Sequence, residues 1–190
     1  VQRHVTGLLA GLTGLLFAAC AMLEAPKAPD PSATFSTQGR LSVHYHDFAS
    51  GKEDTVFGRF DWTEHGRDVD LSLLDPLGQS IAMVHAEPDH ATLRLSDGRT
   101  FEGASAEDLT REALGYPVPV AGLRAWLLGR ANDPSIKPTT DASGALVIHE
   151  SNWTIHYPDA GMPPRRIDLS YPGPGVSLDL RLAIEAQNGS

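Results

Sequence analysis

The chain has 190 residues, 41% of them hydrophobic and 21% charged, proportions that suit one ordinary globular domain with appendages. Its net charge of −9 repels nucleic acid and anionic lipid head groups alike and argues against a nucleic-acid-binding function. A single cysteine, Cys20, cannot form an internal disulfide, and no apolar run of about 18 residues follows the first twenty positions, so nothing later reads as a membrane-spanning helix.

The N-terminus reads as an address. Arg3 and His4 form a short basic region, an apolar stretch runs from about Val5 to Phe17, and Ala18-Ala19-Cys20 closes it. That order predicts a secretory signal peptide over 1–19, ending in small residues that a peptidase can fit. A cysteine directly after two alanines resembles the lipobox of bacterial lipoproteins, with Phe17 standing where Leu is more common. The resemblance implies that Cys20 is the lipidation site, acylated on its sulfur and on the new α-amine. Three chains, at about 0.8 kcal/mol per buried methylene, anchor a protein where one chain does not. Ala21, in place of the Asp that marks inner-membrane retention in such families, implies sorting to the outer membrane, with the domain facing the periplasm. Residues 20–34, with three prolines, read as a lipidated tether.

From Phe35 onward, alternation with a period of two dominates. Leu41, Val43 and Tyr45 share one face of a strand, and Arg40, Ser42, His44 and His46 share the other. Val56, Gly58, Phe60 and Trp62 alternate with Thr55, Phe57, Arg59 and Asp61, and Val69, Leu71 and Leu73 follow. Asp75-Pro76-Leu77-Gly78 then reads as a turn before a strand near 79–86. Pro76 and Gly78 suit their places in that turn, but Leu77 holds a position where Asn, Asp, Ser or Gly is usual. Leu77 either folds back onto the rim or projects as a probe into another apolar phase, where burying it contributes about 1.5–3 kcal/mol.

Leu93 and Leu95 precede Asp97-Gly98, a two-residue hairpin signal. Ser105, with Asp108 three residues on, predicts a helix start; Ala106, Leu109, Ala113 and Leu114 form its apolar face, and it ends at Gly115. After Pro117 and Pro119 a second helix carries Val120, Leu123, Trp126 and Leu127 and stops at Gly129. Further strands contain Trp153, Ile155 and Tyr157, then Ile167, Leu169 and Tyr171, then Val176, Leu178, Leu180, Leu182 and Ile184. Weaker patterns near 134–140 and 144–150 bring the total to about eleven strands. The expectation is a mainly β single domain over 35–185, a curved antiparallel sheet or open barrel, with 186–190 as a tail. Two short helices between two groups of strands would bury their stripes on the apolar face as a lid. The inward residues picked out by the pattern are all apolar, so any ligand held there would be apolar too; a filled core is the alternative.

Several motifs in sequence order carry a resemblance over most of residues 35–185. They are Gly39-Arg40-Leu41, Gly58-Arg59-Phe60-Asp61-Trp62, Asp75-Pro76-Leu77-Gly78, Asp97-Gly98-Arg99, Pro117-Val118-Pro119-Val120, Leu123-Arg124-Ala125-Trp126-Leu127-Leu128-Gly129, and Trp153 with Ile155 and Tyr157. In a lipobox lipoprotein this series resembles the LolB family. The resemblance implies an unclosed antiparallel β-barrel with a lid of short α-helices over an acyl-chain cavity. The lining read from the pattern is Leu41, Val43, Phe60, Trp62, Leu71, Leu73, Leu93, Leu180 and Leu182, and the lid residues are Leu109, Leu123, Trp126 and Leu127. It also implies a delivery loop at Pro76, Leu77 and Gly78, with the family's functional leucine falling on Leu77. The implied role is acceptance of acylated lipoproteins from the periplasmic carrier LolA and insertion into the inner leaflet of the outer membrane, by a monomer, without ATP, cofactor or chemistry. The short tether leaves little room for the helix that often precedes the first strand in relatives, and Asp61 holds a position that is apolar in some.

Enzymatic chemistry finds no support in the residues: there is no nucleophile elbow, phosphate loop or paired-cysteine metal site. His44 and His46 lack a third ligand for a metal, and Asp68 with Asp70, Glu107 with Asp108, His149 and His156 read as solvated surface groups. The competing functional reading is an envelope lipoprotein that scaffolds or binds a protein partner without lipid transfer.

Overall fold

The computed structural model describes residues 32–114, 118, 120–159 and 161–189. The expected signal peptide, Cys20 and most of the tether lie outside the described residues, as do Gly115, Pro117 and Pro119. The elements are β1 (Phe35–Asp47), β2 (Lys52–His65), β3 (Asp68–Leu74), β4 (Ser80–Ala86), β5 (Ala91–Leu95), β6 (Thr100–Gly103), α1 (Ala106–Leu114), α2 (Val120–Leu127), β7 (Thr139–Thr140), β8 (Leu146–Glu150), β9 (Trp153–Tyr157), β10 (Arg166–Pro172) and β11 (Val176–Asn188). The strands form one eleven-stranded sheet in the order β6-β5-β4-β3-β2-β1-β11-β10-β9-β8-β7. Every neighbouring pair is antiparallel. β6 and β7 are the two edges, so the barrel is unclosed.

That order follows from short hairpins and one crossing. From β1 the chain steps outward through β2 to β6. It then passes through α1 and α2 to the opposite edge at β7 and steps back through β8, β9 and β10 to β11 beside β1. The helices are therefore the segment that spans between the two edges, and they do so over the apolar face, where their own apolar stripes are buried. The edges themselves are short, four residues in β6 and two in β7, which limits the exposed backbone open to stray pairing.

Register puts the alternating apolar positions in cross-strand rows. Thr37, Trp62, Leu71, Val84, Leu93 and Phe101 stand side by side on the inner face. Ile148, Ile155, Leu169, Leu180, Val43 and Val56 form a second row on the same face. α1 packs on β4, β5 and β6, with Leu109 and Ala106 buried. Its start is the expected cap: the Asp108 amide donates to the Ser105 hydroxyl at 3.1 Å, and that hydroxyl donates to the Asp108 carboxylate at 2.8 Å. α2 ends where Gly129 turns left-handed at φ 73°. There the Arg130 amide donates to the Ala125 carbonyl and the Gly129 amide to the Trp126 carbonyl, a Schellman closure.

Two readings from the pattern differ from the structure. β11 runs on to Asn188, so residues 186–188, assigned to a tail, pair with 36–38 of β1. Their Ala-Gln-Asn sequence lacks the alternation that marks the rest of the strand. The Asp97-Gly98 hairpin has three loop residues rather than two: the Leu95 amide donates to the Arg99 carbonyl, enclosing Ser96, Asp97 and Gly98. Only Gly98 takes positive φ there, whereas a two-residue type I′ turn would require it of Asp97 as well.

β1 slips register against β11 between Gln38 and Gly39, a bulge that bends the centre of the sheet. A Cβ built on Gly39 would lie 2.1 Å from the Ala183 carbonyl oxygen and 3.0 Å from the Phe60 ring. The backbones approach too closely there for any side chain. Gly39→Ala is expected to lower the free energy of unfolding by about 2 kcal/mol or more, read as a shift in the urea midpoint.

Candidate functional site

The nine residues read as cavity lining separate into two sets. Phe60, Trp62, Leu71 and Leu93 are 8% exposed or less and belong to the packed core. Leu41, Val43, Leu73, Leu180 and Leu182 are only partly buried, although they stand on the same inner face. With Ile184, also partly buried, they mark an apolar trough on β1 and β11, with Leu73 of β3 set across the buried Phe60 of β2, between a wing covered by α1 and a wing of fully buried residues on β8, β9 and β10. Apolar carbon left in contact with water on an otherwise buried face is the surface an acyl chain would cover.

The β3–β4 hairpin stands at one end of that trough. Leu73, a trough residue, is followed by the turn Asp75-Pro76-Leu77-Gly78-Gln79. The Asp75 amide donates to the Gln79 carbonyl at 2.8 Å, and the Gly78 amide donates to the Asp75 carbonyl at 3.0 Å, with Gly78 at φ 86°. The Asp75 carboxylate accepts from the amides of Leu77 at 2.8 Å and Gln79 at 2.9 Å. Leu77 is 84% exposed, which excludes the fold-back onto the rim.

The same turn occurs a second time in this chain. Between β7 and β8, Asp141 makes the matching bonds to Ser143, Gly144 and Ala145, and Gly144 has φ 88°. The position of Leu77 is taken there by Ser143, which donates its hydroxyl to the Asp141 carboxylate at 2.6 Å. In the β5–β6 turn the equivalent position holds Asp97, whose carboxylate accepts from the Arg99 amide. The turn itself therefore favours a polar residue at its third position, and nothing in its geometry asks for leucine.

The four helix residues read as a lid are enclosed to different degrees. Leu109, Trp126 and Leu127 are each 2% exposed and Leu123 is partly buried. α2 packs on α1 and reaches the sheet through long polar contacts that the sequence reading missed. Two carboxylates point inward. Glu64 of β2, 4% exposed, accepts the Trp62 indole N–H at 3.0 Å and lies 3.1 Å from the Arg124 guanidinium of α2. Glu150 of β8, 8% exposed, accepts the Trp126 indole N–H at 2.5 Å, the Asn132 amide and side chain at 3.1 Å each, and the Asp133 amide at 2.9 Å. Strict alternation could have found both, since Glu64 continues the Phe60, Trp62 series and Glu150 continues Leu146, Ile148; a search for apolar positions passes over them.

Burial has opposite outcomes at the two carboxyls. At Glu64 desolvation raises the pKa above the ordinary value, with the Trp62 donor and Arg124 offsetting it only in part. At Glu150 desolvation also pushes upward, but the Trp126, Asp133 and Asn132 donors together hold the group below its ordinary value. The Tyr157 hydroxyl, which donates to the Trp126 carbonyl at 2.8 Å, has its pKa pushed up by burial and by the Glu150 charge.

The other candidates sit on the outer face. His44 bonds to Thr55, His46 pairs with Glu53, His149 bonds to Thr154 and His156 meets Asp141. Asp70 pairs with His85 at 2.7 Å, which raises the histidine pKa. Among the described residues no three His, Cys, Asp or Glu side chains converge as a metal site. Two surface concavities of about 470 and 540 Å³ also lie on this polar face, the first lined by residues such as Gln38, Asp61, Asp70, Ser72, His85 and Arg94. Their lining does not suit an acyl chain.

Leu77→Ser is expected to leave the urea midpoint of unfolding unchanged to within about 0.5 kcal/mol, because Ser143 already occupies the same place in the sister turn. A second expectation concerns Glu150. Its folded carboxyl lies below the ordinary 4.5, so the native state binds fewer protons than the unfolded chain as pH falls through that range. The stabilisation is complete above about pH 4.5 and is lost as pH drops through the folded value. The stability gap between the parent and Glu150→Gln, followed by urea titration, should be widest near neutrality and narrow below pH 4.5.

Comparison with known proteins shows the family. Residues 33–186 match the family model described as outer membrane lipoprotein LolB. An outer-membrane lipoprotein LolB of Cupriavidus metallidurans is 38% identical, with 95% of each chain covered. The protein of the same name from Bordetella petrii is 40% identical over 93% of this chain and 90% of its own. Among solved structures, a LolA superfamily protein from Nitrosomonas europaea aligns with TM-score 0.40 and 13% identity over 85% of this chain and 88% of that one. With a family match across the whole sheet and relatives at this identity over nearly their full length, the chain belongs to the LolB family of outer-membrane lipoproteins, which act in lipoprotein localisation.

Proposed function

We propose that this protein accepts acylated lipoproteins from a LolA-type periplasmic carrier and passes them into the inner leaflet of the outer membrane, with Cys20 as its own lipid anchor. The observation that carries the reading is the partly exposed apolar trough running toward a hairpin whose apex leucine the turn does not require. Leu41, Val43, Leu73, Leu180 and Leu182 would lie along the cargo's acyl chains, while Phe60, Trp62, Leu71 and Leu93 form the packed floor beside them. Each methylene moved from water into such a trough gains about 0.8 kcal/mol, and the same gain awaits it in a bilayer. Cargo can therefore move from carrier to acceptor to membrane on small affinity differences, without a chemical step.

Leu77 acts at the last transfer. An apolar side chain held clear of the protein can enter the membrane surface and bias docking there by about 1.5–3 kcal/mol, roughly ten- to a hundredfold in a contact equilibrium.

Purified LolA loaded with a labelled lipoprotein, mixed with this chain carrying Cys20→Ala and then separated, tests acceptance directly: the label is expected to move to this protein. Label that stays on a competent carrier, with the acceptor shown to be folded, would leave an envelope scaffold instead. Leu77→Glu is expected to accept cargo normally but to deliver it to liposomes ten- to a hundredfold more slowly, and equal loss of both steps would count against a role confined to delivery.

A further inference from the structure

α2 is held to the two wings of the sheet by attachments of different strength. Toward β2, the Arg124 guanidinium meets Glu64 at 3.1 Å and lies over the Phe35 ring, 5.3 Å from its centroid. The Arg124 side chain is 35% exposed, so water has access to one partner of this pair while the other is buried. Toward β8 and β9, Trp126 donates to Glu150, Asn132 and Asp133 just beyond the helix donate to the same carboxylate, and Tyr157 donates to the Trp126 carbonyl. Trp126 also lies against Trp153, with ring centroids 5.9 Å apart.

Opening costs differ accordingly. Releasing the β8 side strips a buried carboxylate of four donor contacts at once, and each such charge-assisted bond is costly to leave unmade. Releasing the β2 side separates the Glu64–Arg124 pair, whose attraction is already largely offset by the desolvation of Glu64, and lifts the guanidinium off the Phe35 ring. Glu64 keeps its bond from Trp62, on its own strand, whether or not Arg124 is present. The direction of the carboxyl pKa at each site, raised at Glu64 and lowered at Glu150, agrees with this ranking.

We infer that the Glu64–Arg124 pair is the latch of α2 and the Glu150–Tyr157 cluster its hinge, so that the helix lifts away from β2 while it stays pinned to β8 and β9. Opening of this kind uncovers Trp62 and Phe35 and admits an acyl chain from the β2–β3 side of the trough, at the end of β3 away from the Leu77 hairpin. Leu123, on the same helix, moves with Arg124. That acyl chains use the opening rests on the transfer function proposed above; the latch and hinge themselves do not.

The test is hydrogen–deuterium exchange, resolved by peptide, on the full chain carrying Cys20→Ala, with and without Glu64→Gln. The substitution keeps an acceptor for the Trp62 indole and removes the charge opposite Arg124. Amides of 120–127 are expected to exchange about tenfold faster while those of β8 and β9 keep their parent rates. Arg124→Gln, at the more exposed partner, should read the same way and serves if Glu64→Gln fails to fold. Glu150→Gln should instead speed exchange in α2 and β8 together. Unchanged protection of α2 in both latch variants, or equal acceleration in α2 and in β8–β9, would overturn the inference. Uptake of fluorescent NBD-palmitate by the same samples is read separately. Faster α2 exchange with faster uptake supports both readings. Faster α2 exchange with no uptake in any sample keeps the latch and removes acyl transfer.

Discussion

Because β1 lies in register between β2 and β11 along nearly its whole length, the first and last strands of the domain hold the centre of the sheet, and both free edges come from the middle of the chain. A chain so arranged has to travel from one edge to the other, and the shortest cover for its own apolar side chains is the inner face of the sheet. The lid is thus a consequence of strand order. It also leaves the centre of the sheet, where β1 and β11 meet, without a helix packed directly on it, and Leu41, Leu180 and Leu182 stand there partly buried. The bulge at Gly39 lies in the same central pair, so the sheet bends beside the trough.

The inner face is not uniformly apolar, and its two carboxylates divide the labour of holding α2. A buried charge contributes to stability when its donors are numerous and fixed, as at Glu150, and contributes little net when one indole donor and a half-exposed guanidinium have to repay the loss of water, as at Glu64. One fold thereby holds a firm contact and a soft contact on the same short helix. A helix of eight residues has little stability of its own, so its position is set by these contacts together with the burial of Val120, Trp126 and Leu127.

Much of this architecture was legible in the sequence because it depends on local chemistry. Alternation at Leu41, Val43 and Tyr45, or at Ile167, Leu169 and Tyr171, announces a strand whichever way the rest of the chain turns, and Ser105 and Gly129 mark helix ends by their own bonds. What was not legible depends on partners distant in sequence. Whether Leu180 or Phe60 is packed or accessible is decided by what lies above each, and their patterns in sequence are the same. Residues 186–188 are strand because β1 offers them a register, not because their side chains alternate. Glu64 and Glu150 were missed for a related reason: a carboxylate is compatible with the inner face only because indole and amide donors from elsewhere meet it. Leu77 was legible as an anomaly from the turn alone, but only the sister turn at Asp141 shows that the anomaly is not structural.

The two ends of the domain add a geometric condition on how it can work at a surface. The chain enters the sheet where Phe35 faces Glu64, with the Thr34 amide already bonded to the Glu64 carbonyl, whereas the Leu77 hairpin leaves it where Leu74 faces Arg59. These points are separated along β2 by roughly 17 Å at the usual rise per residue. With Cys20 as the anchor and Leu77 as the membrane contact, both as proposed, the point of entry and the leucine would meet one membrane five residues apart along β2. Two contacts separated along a strand would lay the strands along the membrane rather than stand them upright on it, bringing the long side of the trough, and not only its end, close to the lipid.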